Sequence, residues 1–409
     1  MHNNQASPMN GTLRNYVLFD DQARGHLLPF TFIRPVAEIR MGILTIREKW
    51  EKFTGHPFTY VTEDYLEEKY PLVIGEENLI INGSIIPNRD LVDEISSLVC
   101  GEMLVKDNIL VAGCLDQASL ETFDMSVPPG YEQKEAQATF IRISRPWHIF
   151  RLNGEVLTAD FGLVTAGRNS SVISSTNQLI EPGNIFAEEG AKLEYCTINA
   201  SGGPVYIGRN AEIMEGSSIR GPFALCEGGL VKMGARIYGA TTIGPYSRVG
   251  GEVTNSVFFD YSNKVHEGYV GNSVIGDWCN IGAGSNSSNL KNNYALVKVW
   301  DYVTGKAEDT GLQFCGLMMG DYSRCGISTM FNTGSVIGVS SNIFGSGFPG
   351  NFVPSFSWGG ASGFETYWLI KAIETIEKSM LSRNKVLSET DRKIISRVFV
   401  LTDRYRKSV

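Results

Sequence analysis

The sequence is short of several features that would each announce a class of protein. It has no apolar run near the ~18 residues a membrane helix needs and no secretory leader pattern, so a soluble cytoplasmic protein is the expectation. Basic charge is in deficit. A formal net charge of −8 and a pI near 5.3 argue against general binding to nucleic acid or anionic membrane, leaving only local basic pockets for phosphate. The seven cysteines (Cys100, Cys114, Cys196, Cys226, Cys279, Cys315 and Cys325) are odd in number and follow no CxxC spacing. Free buried thiols in a reducing compartment are expected, not a disulfide framework.

What the chain has instead is a strict period of six. Ile207, Ile213, Ile219, Leu225, Val231, Ile237, Ile243 and Val249 form an unbroken aliphatic series. A helix needs apolar spacing near 3.6 and an isolated strand needs 2, so neither accounts for it. A chain that turns a corner every six residues does, each short strand sending one aliphatic side chain into a shared prism. The 44 glycines suit the corners. This is the hexapeptide pattern of a parallel β-helix.

The solenoid is expected over residues 165–350. Ile185 and Ala191 keep a weaker version of the repeat, and Ile275, Ile281, Met319, Cys325, Phe331, Ile337 and Ile343 resume it; two of the seven cysteines are candidates for core rungs. From Val249 to Ile275 the spacing is 26, which breaks the period, so residues 251–273 are expected to leave the prism as a loop. A second interruption is expected over 290–316. Residues 13–160 read as a mixed α/β domain, with strands at Tyr16–Phe19, Phe58–Thr62, Leu79–Asn82, Met103–Lys106, Ile109–Ala112 and Ile141–Ile143 and a helix at Ile43–Phe53. Residues 1–12 read as a polar, disordered tail. Residues 360–409 read as a helical cap, with one helix over 363–384 and another opened by the capping box Ser388-Glu-Thr-Asp391.

An α/β front half, a hexapeptide solenoid, and the stretch Asn263-Lys-Val-His266-Glu-Gly-Tyr269-Val-Gly followed by Ile275-Gly-Asp-Trp-Cys-Asn280-Ile-Gly-Ala-Gly284 occur here in that order. This arrangement resembles a divergent form of the bacterial bifunctional N-acetylglucosamine-1-phosphate uridyltransferase / glucosamine-1-phosphate N-acetyltransferase family. The resemblance implies an α/β nucleotidyltransferase-like front domain and a left-handed parallel β-helix of the trimeric acyltransferase kind. It places His266 on the acetyl-transfer base, Tyr269, Asn280, Asn289 and Arg236 on sugar-phosphate contacts, and Ala283 on the acetyl-CoA contact. It also implies acetyl-CoA as co-substrate, a sugar 1-phosphate and a nucleoside triphosphate as partners, and a homotrimer. The family's phosphate-binding lysine aligns near Thr254-Asn255, and its later basic residue is displaced toward Lys291 or Lys298. In the front half the Gly-rich cradle is absent, and the family's Asn-Gly-Asp is Asn82-Gly83-Ser84.

Chemistry supports these positions, with an ordinary alternative beside each. Acetyl transfer to an amine needs a base near working pH, which a loop histidine such as His266 supplies, and donors for the oxyanion, which amides at the 282–284 corner would supply. Alternatively His266 is a surface histidine, and Asn280 and Asn289 are corner residues that tolerate left-handed backbone angles. Arg24, Arg34 and Arg40 follow the first strand and suit nucleotide phosphates, or else local salt bridges. Asp20 and Asp21 suit Mg²⁺ on a triphosphate, or else a turn. The leading functional expectation is UDP-N-acetylglucosamine formation by acetyl transfer and nucleotidyl transfer. The alternatives are a sugar-1-phosphate nucleotidyltransferase with a structural solenoid and a non-catalytic sugar-nucleotide-binding scaffold.

Overall fold

The computed structural model describes residues 14–407; the expected polar tail lies outside them. The chain divides into two compact units, and the division is not a single cut. Residues 14–21 and Arg47–Arg142 form the first unit, whereas Gln22–Ile46 belongs with residues 143–407 in the second.

The first unit is built on a six-stranded mixed sheet. The strand Arg14–Phe19 lies between Thr59–Val61 and Glu77–Asn82, parallel to both. Glu77–Asn82 then pairs antiparallel with Ile109–Asp116, which pairs antiparallel with Glu102–Lys106. Val17, Phe19, Ile80, Met103 and Leu115 fill one apolar cluster on this sheet. The parallel strands end together at Asp20 and at Asn82, the edge where α/β sheets present ligand-binding groups. The helix expected from Ile43 starts three residues later, as Ile46–Thr54, because Arg40 and Thr45 first form an antiparallel bridge.

The second unit is a three-sided parallel β-helix. Ile207, Leu225 and Ile243 stack in one sheet, Ile213, Val231 and Val249 in the next, and Ile219 and Ile237 in the third. All eight are buried in one continuous cluster that also takes in Cys196, Cys279 and Cys325. Each step of six therefore moves the chain to the next side of the prism, as the period requires.

The expected loop at 251–273 does not exist. Glu252–Thr254, Val257–Phe258, Asn263–Lys264 and Tyr269–Gly271 each continue one of the three sheets. The missing residues come out of the corners. A coil of 18 residues from Ile207 to Leu225 shortens to 15 from Ile243 to Phe258 and to 17 from Phe258 to Ile275. The second interruption does leave the coil, as an antiparallel hairpin of Lys298–Asp301 with Lys306–Asp309.

At the far end, Gly363–Thr366 is a strand, not helix. It pairs antiparallel with Ser357–Gly360 and so covers the last parallel edge. The helix runs from Leu369 to Leu381, and Ser388 caps Glu389–Leu401 by accepting from the Asp391 amide at 3.0 Å, as the capping box requires. This C-terminal segment also lies along the side of the coil. Arg383 donates to Asn263 Oδ1 at 2.7 Å, and Lys385 sits over Tyr261 in a stacked row with Tyr246 and Trp278. Among the described residues no helix is long and apolar enough to cross a membrane.

Candidate functional site

In the β-helix the strands Arg236–Tyr238, Glu252–Thr254 and Tyr269–Gly271 are successive neighbours on one face, with Arg236, Glu252 and Tyr269 in register. Inward-facing Ile237, Val253 and Val270 leave these three side chains on the outer surface. Arg236 pairs with Glu267 at 3.0 Å and stands 3.7 Å from Glu252, which also accepts from the Tyr238 hydroxyl at 2.6 Å. A substrate phosphate at Arg236 would have to compete with these carboxylates. Asn289 donates to the Tyr269 hydroxyl at 2.9 Å and to Asn272 Oδ1 at 2.7 Å. Burial raises the Tyr269 phenol above its ordinary value, against the Asn289 donor, so the hydroxyl stays neutral and can itself donate.

His266 is exposed on the corner that enters this face. The carbonyl of its neighbour Glu267 accepts from the Gly284 amide at 2.8 Å, so the His266 corner is stacked on the Gly282–Gly284 corner. That contact takes the Gly284 N–H out of the set of oxyanion donors. Ala283 lies at the same corner, its carbonyl accepting from the Ser328 amide at 2.7 Å. Asn280 is placed elsewhere. It sits between Asn263 and Arg324 on a different sheet, so within one chain it does not join Tyr269 and Asn289. Spacing alone does not fix the face, because one corner separates the two sheets. Lys291 donates to the Leu296 carbonyl and Lys298 pairs with Asp309, so both are engaged within the excursion.

The front cluster gathers at the ends of the parallel strands. Asp21 accepts from Asn82 at 2.8 Å and from Arg142 at 2.6 Å, and Arg142 also donates to Ser84 at 3.1 Å. Asp20 is buried and accepts from the Thr62 hydroxyl at 2.6 Å. Asn82 Oδ1 accepts from both the amide and the hydroxyl of Ser84, so this asparagine organises the turn. Among the described residues no three His, Cys, Asp or Glu side chains gather as a metal site, and a cation at Asp21 would displace Arg142.

Two arginines require correction. Arg34 and Arg40, expected at a nucleotide phosphate, are buried in the second unit against β-helix carboxylates. Arg34 holds Asp321 at 2.6 and 3.2 Å and Asp277 at 2.6 Å, and Arg40 holds Asp260 at 3.0 Å. A buried guanidinium already satisfied by carboxylates has no geometry left for a phosphate. Arg24, in the same segment, donates to the Thr31 carbonyl at 2.7 Å.

Residues 16–169 match the family model described as sugar nucleotidyl transferase. The match covers the front of the chain, 154 of its 409 residues. The chain is also 31% identical over 212 residues to a bifunctional sugar-1-phosphate nucleotidylyltransferase/acetyltransferase of Sulfurisphaera tokodaii, covering 51% of this chain. It spans about half the length of that relative, 46%. Among solved structures, the polySia-specific acetyltransferase NeuO overlaps 47% of this chain and 82% of its own at 14% identity, with a TM-score of 0.26. An Arabidopsis UDP-N-acetylglucosamine acyltransferase overlaps 58% and 92% at 15% identity, with a TM-score of 0.21. Superpositions this loose say nothing about function.

In the front unit, the group that sequence reasoning missed is Arg142. It lies 121 positions beyond Asp21, and its only signal is the short strand Ile141–Arg142 that ends the first unit. In the β-helix the missed residues are Glu267 and Lys264, charged side chains inside the very motif that carries the resemblance.

Proposed function

We propose that this chain is a two-domain enzyme of amino-sugar nucleotide synthesis. Its β-helix transfers the acetyl group of acetyl-CoA to glucosamine 1-phosphate, and its front domain transfers a nucleotidyl group to the product, giving UDP-N-acetylglucosamine. The observation that carries this reading is the stacking of the His266 corner on the Gly282–Gly284 corner, beside the face bearing Arg236, Tyr269 and Asn289.

In this mechanism the imidazole of His266 takes the proton from the attacking amine as nitrogen adds to the thioester carbonyl. Tyr269 and Asn289 orient the sugar phosphate, and Arg236 exchanges a carboxylate for the phosphate when substrate arrives. The Gly282 amide faces the Cys325 sulfur inside the prism, which leaves the amide of Ala283 as the oxyanion donor at this corner. The face is flat and open, so a neighbouring subunit would close it; a homotrimer supplies that subunit and brings Asn280 of a second chain to the first. In the front domain, Asn82, Asp21 and Arg142 are the proposed nucleotide contacts. Asp20 and Asp21 are the carboxylates that would hold a Mg²⁺ carried in on the triphosphate, Asp21 by giving up Arg142.

The test is His266→Ala in the full chain, assayed for free thiol release from acetyl-CoA with glucosamine 1-phosphate. Loss of a positioned base is expected to lower kcat/KM by about 10²–10⁴-fold. An unchanged rate removes His266 as the base. Pyrophosphate release with individual nucleoside triphosphates tests the front domain separately. Turnover there with no acetylation in the wild type would favour a nucleotidyltransferase carrying a structural solenoid.

A further inference from the structure

Lys264 occupies a position that the prism everywhere else gives to an apolar or small side chain. It is in register with Val249, points inward, is only 2% exposed and ranks among the largest fully buried side chains of the molecule. Burial lowers its ammonium from the ordinary lysine value to about 8, the nearby Glu267 opposing that shift, so it is still mostly charged at neutral pH. A charged group there is costly, and a methionine of similar volume would avoid the cost.

Its hydrogen bonds explain its presence. Nζ donates to the carbonyl of Gly250 at 2.9 Å and to the carbonyl of His266 at 2.7 Å. Among the described residues no backbone amide donates to either carbonyl. Gly250 lies in the most shortened corner, four residues from Val249 to Val253, and His266 in a full six-residue corner from Lys264 to Val270; neither carbonyl takes part in the regular ladder. The corner is otherwise tight, since a Cβ on Gly250 would stand 2.3 Å from the Val265 carbonyl oxygen. Lys264 therefore reaches from inside the prism to the backbone of His266, the exposed histidine at the corner entering the candidate face.

We propose that Lys264 is a positioning residue for acetyl transfer, fixing the His266 backbone from within the β-helix so that the imidazole is held at the substrate face. The inference rests on His266 being the base. It assigns Lys264 no contact with substrate and no proton transfer of its own.

The experiment is Lys264→Met in the full chain, with Lys264→Leu if methionine does not fold. Losing two carbonyl hydrogen bonds and losing a buried charge act in opposite directions, so the unfolding midpoint is expected to stay within about 5 °C of wild type. Amide exchange at residues 265–268 is expected to quicken. The kcat for acetylation is expected to fall roughly 10–100-fold, as for a base displaced by about an ångström, with KM for acetyl-CoA changed less than about threefold. A kcat within twofold of wild type overturns the proposal, as does unchanged exchange at 265–268. So does failure of both variants to fold, which would make Lys264 purely structural. If exchange quickens while His266→Ala retains full activity, the base assignment falls and the tethering of the corner by Lys264 stands.

Discussion

Arg34→Met is expected to destabilise the second unit by about 3–5 kcal/mol at pH 7.5, the usual cost of removing one member of a buried ion pair. Arg34 is the counter-ion of a fully buried carboxylate, Asp321, and of the half-buried Asp277. Methionine would leave both acids without it, although Asp321 Oδ1 also accepts from the Asp277 amide at 2.7 Å. The loss should depend on pH in a defined direction. Burial pushes the Asp321 carboxyl up from 3.8 to about 6, with Arg34 pulling it down and Asp277 pushing it up. Between those two values the native protein holds a proton that the unfolded chain has released, so this group adds stability as pH falls through about 6. Without Arg34 the window opens at higher pH, and protonation relieves more of the penalty. Urea unfolding of wild type and variant at pH 7.5 and pH 5 measures this. A deficit below 1 kcal/mol at pH 7.5, or one that widens at pH 5, would show that Arg34 does not carry the contact.

That ion cluster also marks where the sequence stops being legible. A guanidinium after a first strand carries no address: Arg34 suits a phosphate and a carboxylate equally, and its acids lie 243 and 287 positions away. The aliphatic period is different, because each rung must be apolar whatever its neighbours are, so eight of them in step fix three sheets and their register without reference to the rest of the chain. The same logic fails at 251–273. A corner can lose one or two residues while its strands stay paired, so a broken count there meant a shorter coil, not an excursion. Lys264 was hidden for a related reason, since periodicity identifies rungs by apolarity and this rung is charged.

The candidate site divides the same way. Tyr269 and Asn289 meet because both lie on consecutive turns of one face, a relation that offsets along a solenoid encode directly. Asn280 sits at an equally good offset but one corner earlier, which turns its side chain to another face. The front cluster depended on strand order across the mixed sheet, and nothing in the local sequence ties Arg142 to Asp21.

Gly268→Ala is expected to be the most damaging single-methyl change on the candidate face. Gly268 has φ +121°, a backbone angle that side chains other than glycine rarely adopt, and an added Cβ would lie 2.1 Å from the Ser285 carbonyl oxygen. Neither clash has a flexible side chain to relieve it, because the obstructing atoms are backbone of the next coil. Angle strain and overpacking of this kind together cost roughly 2–5 kcal/mol. The corner cannot simply move away, since the Gly268 carbonyl accepts from the Glu252 amide at 3.1 Å while the Glu267 carbonyl holds Gly284. The strain must therefore be taken up between His266 and Tyr269, and the acetyl transfer proposed for this face should fall by more than tenfold in whatever protein remains folded. Gly305→Ala is the control. It also has a positive φ, +66°, but no atom within 4 Å of its added Cβ, and should cost only about 1 kcal/mol. Thermal unfolding and thiol release measured on the two variants side by side separate the cases. Equal behaviour of the pair would mean that the stacked corners yield more easily than their hydrogen bonds imply.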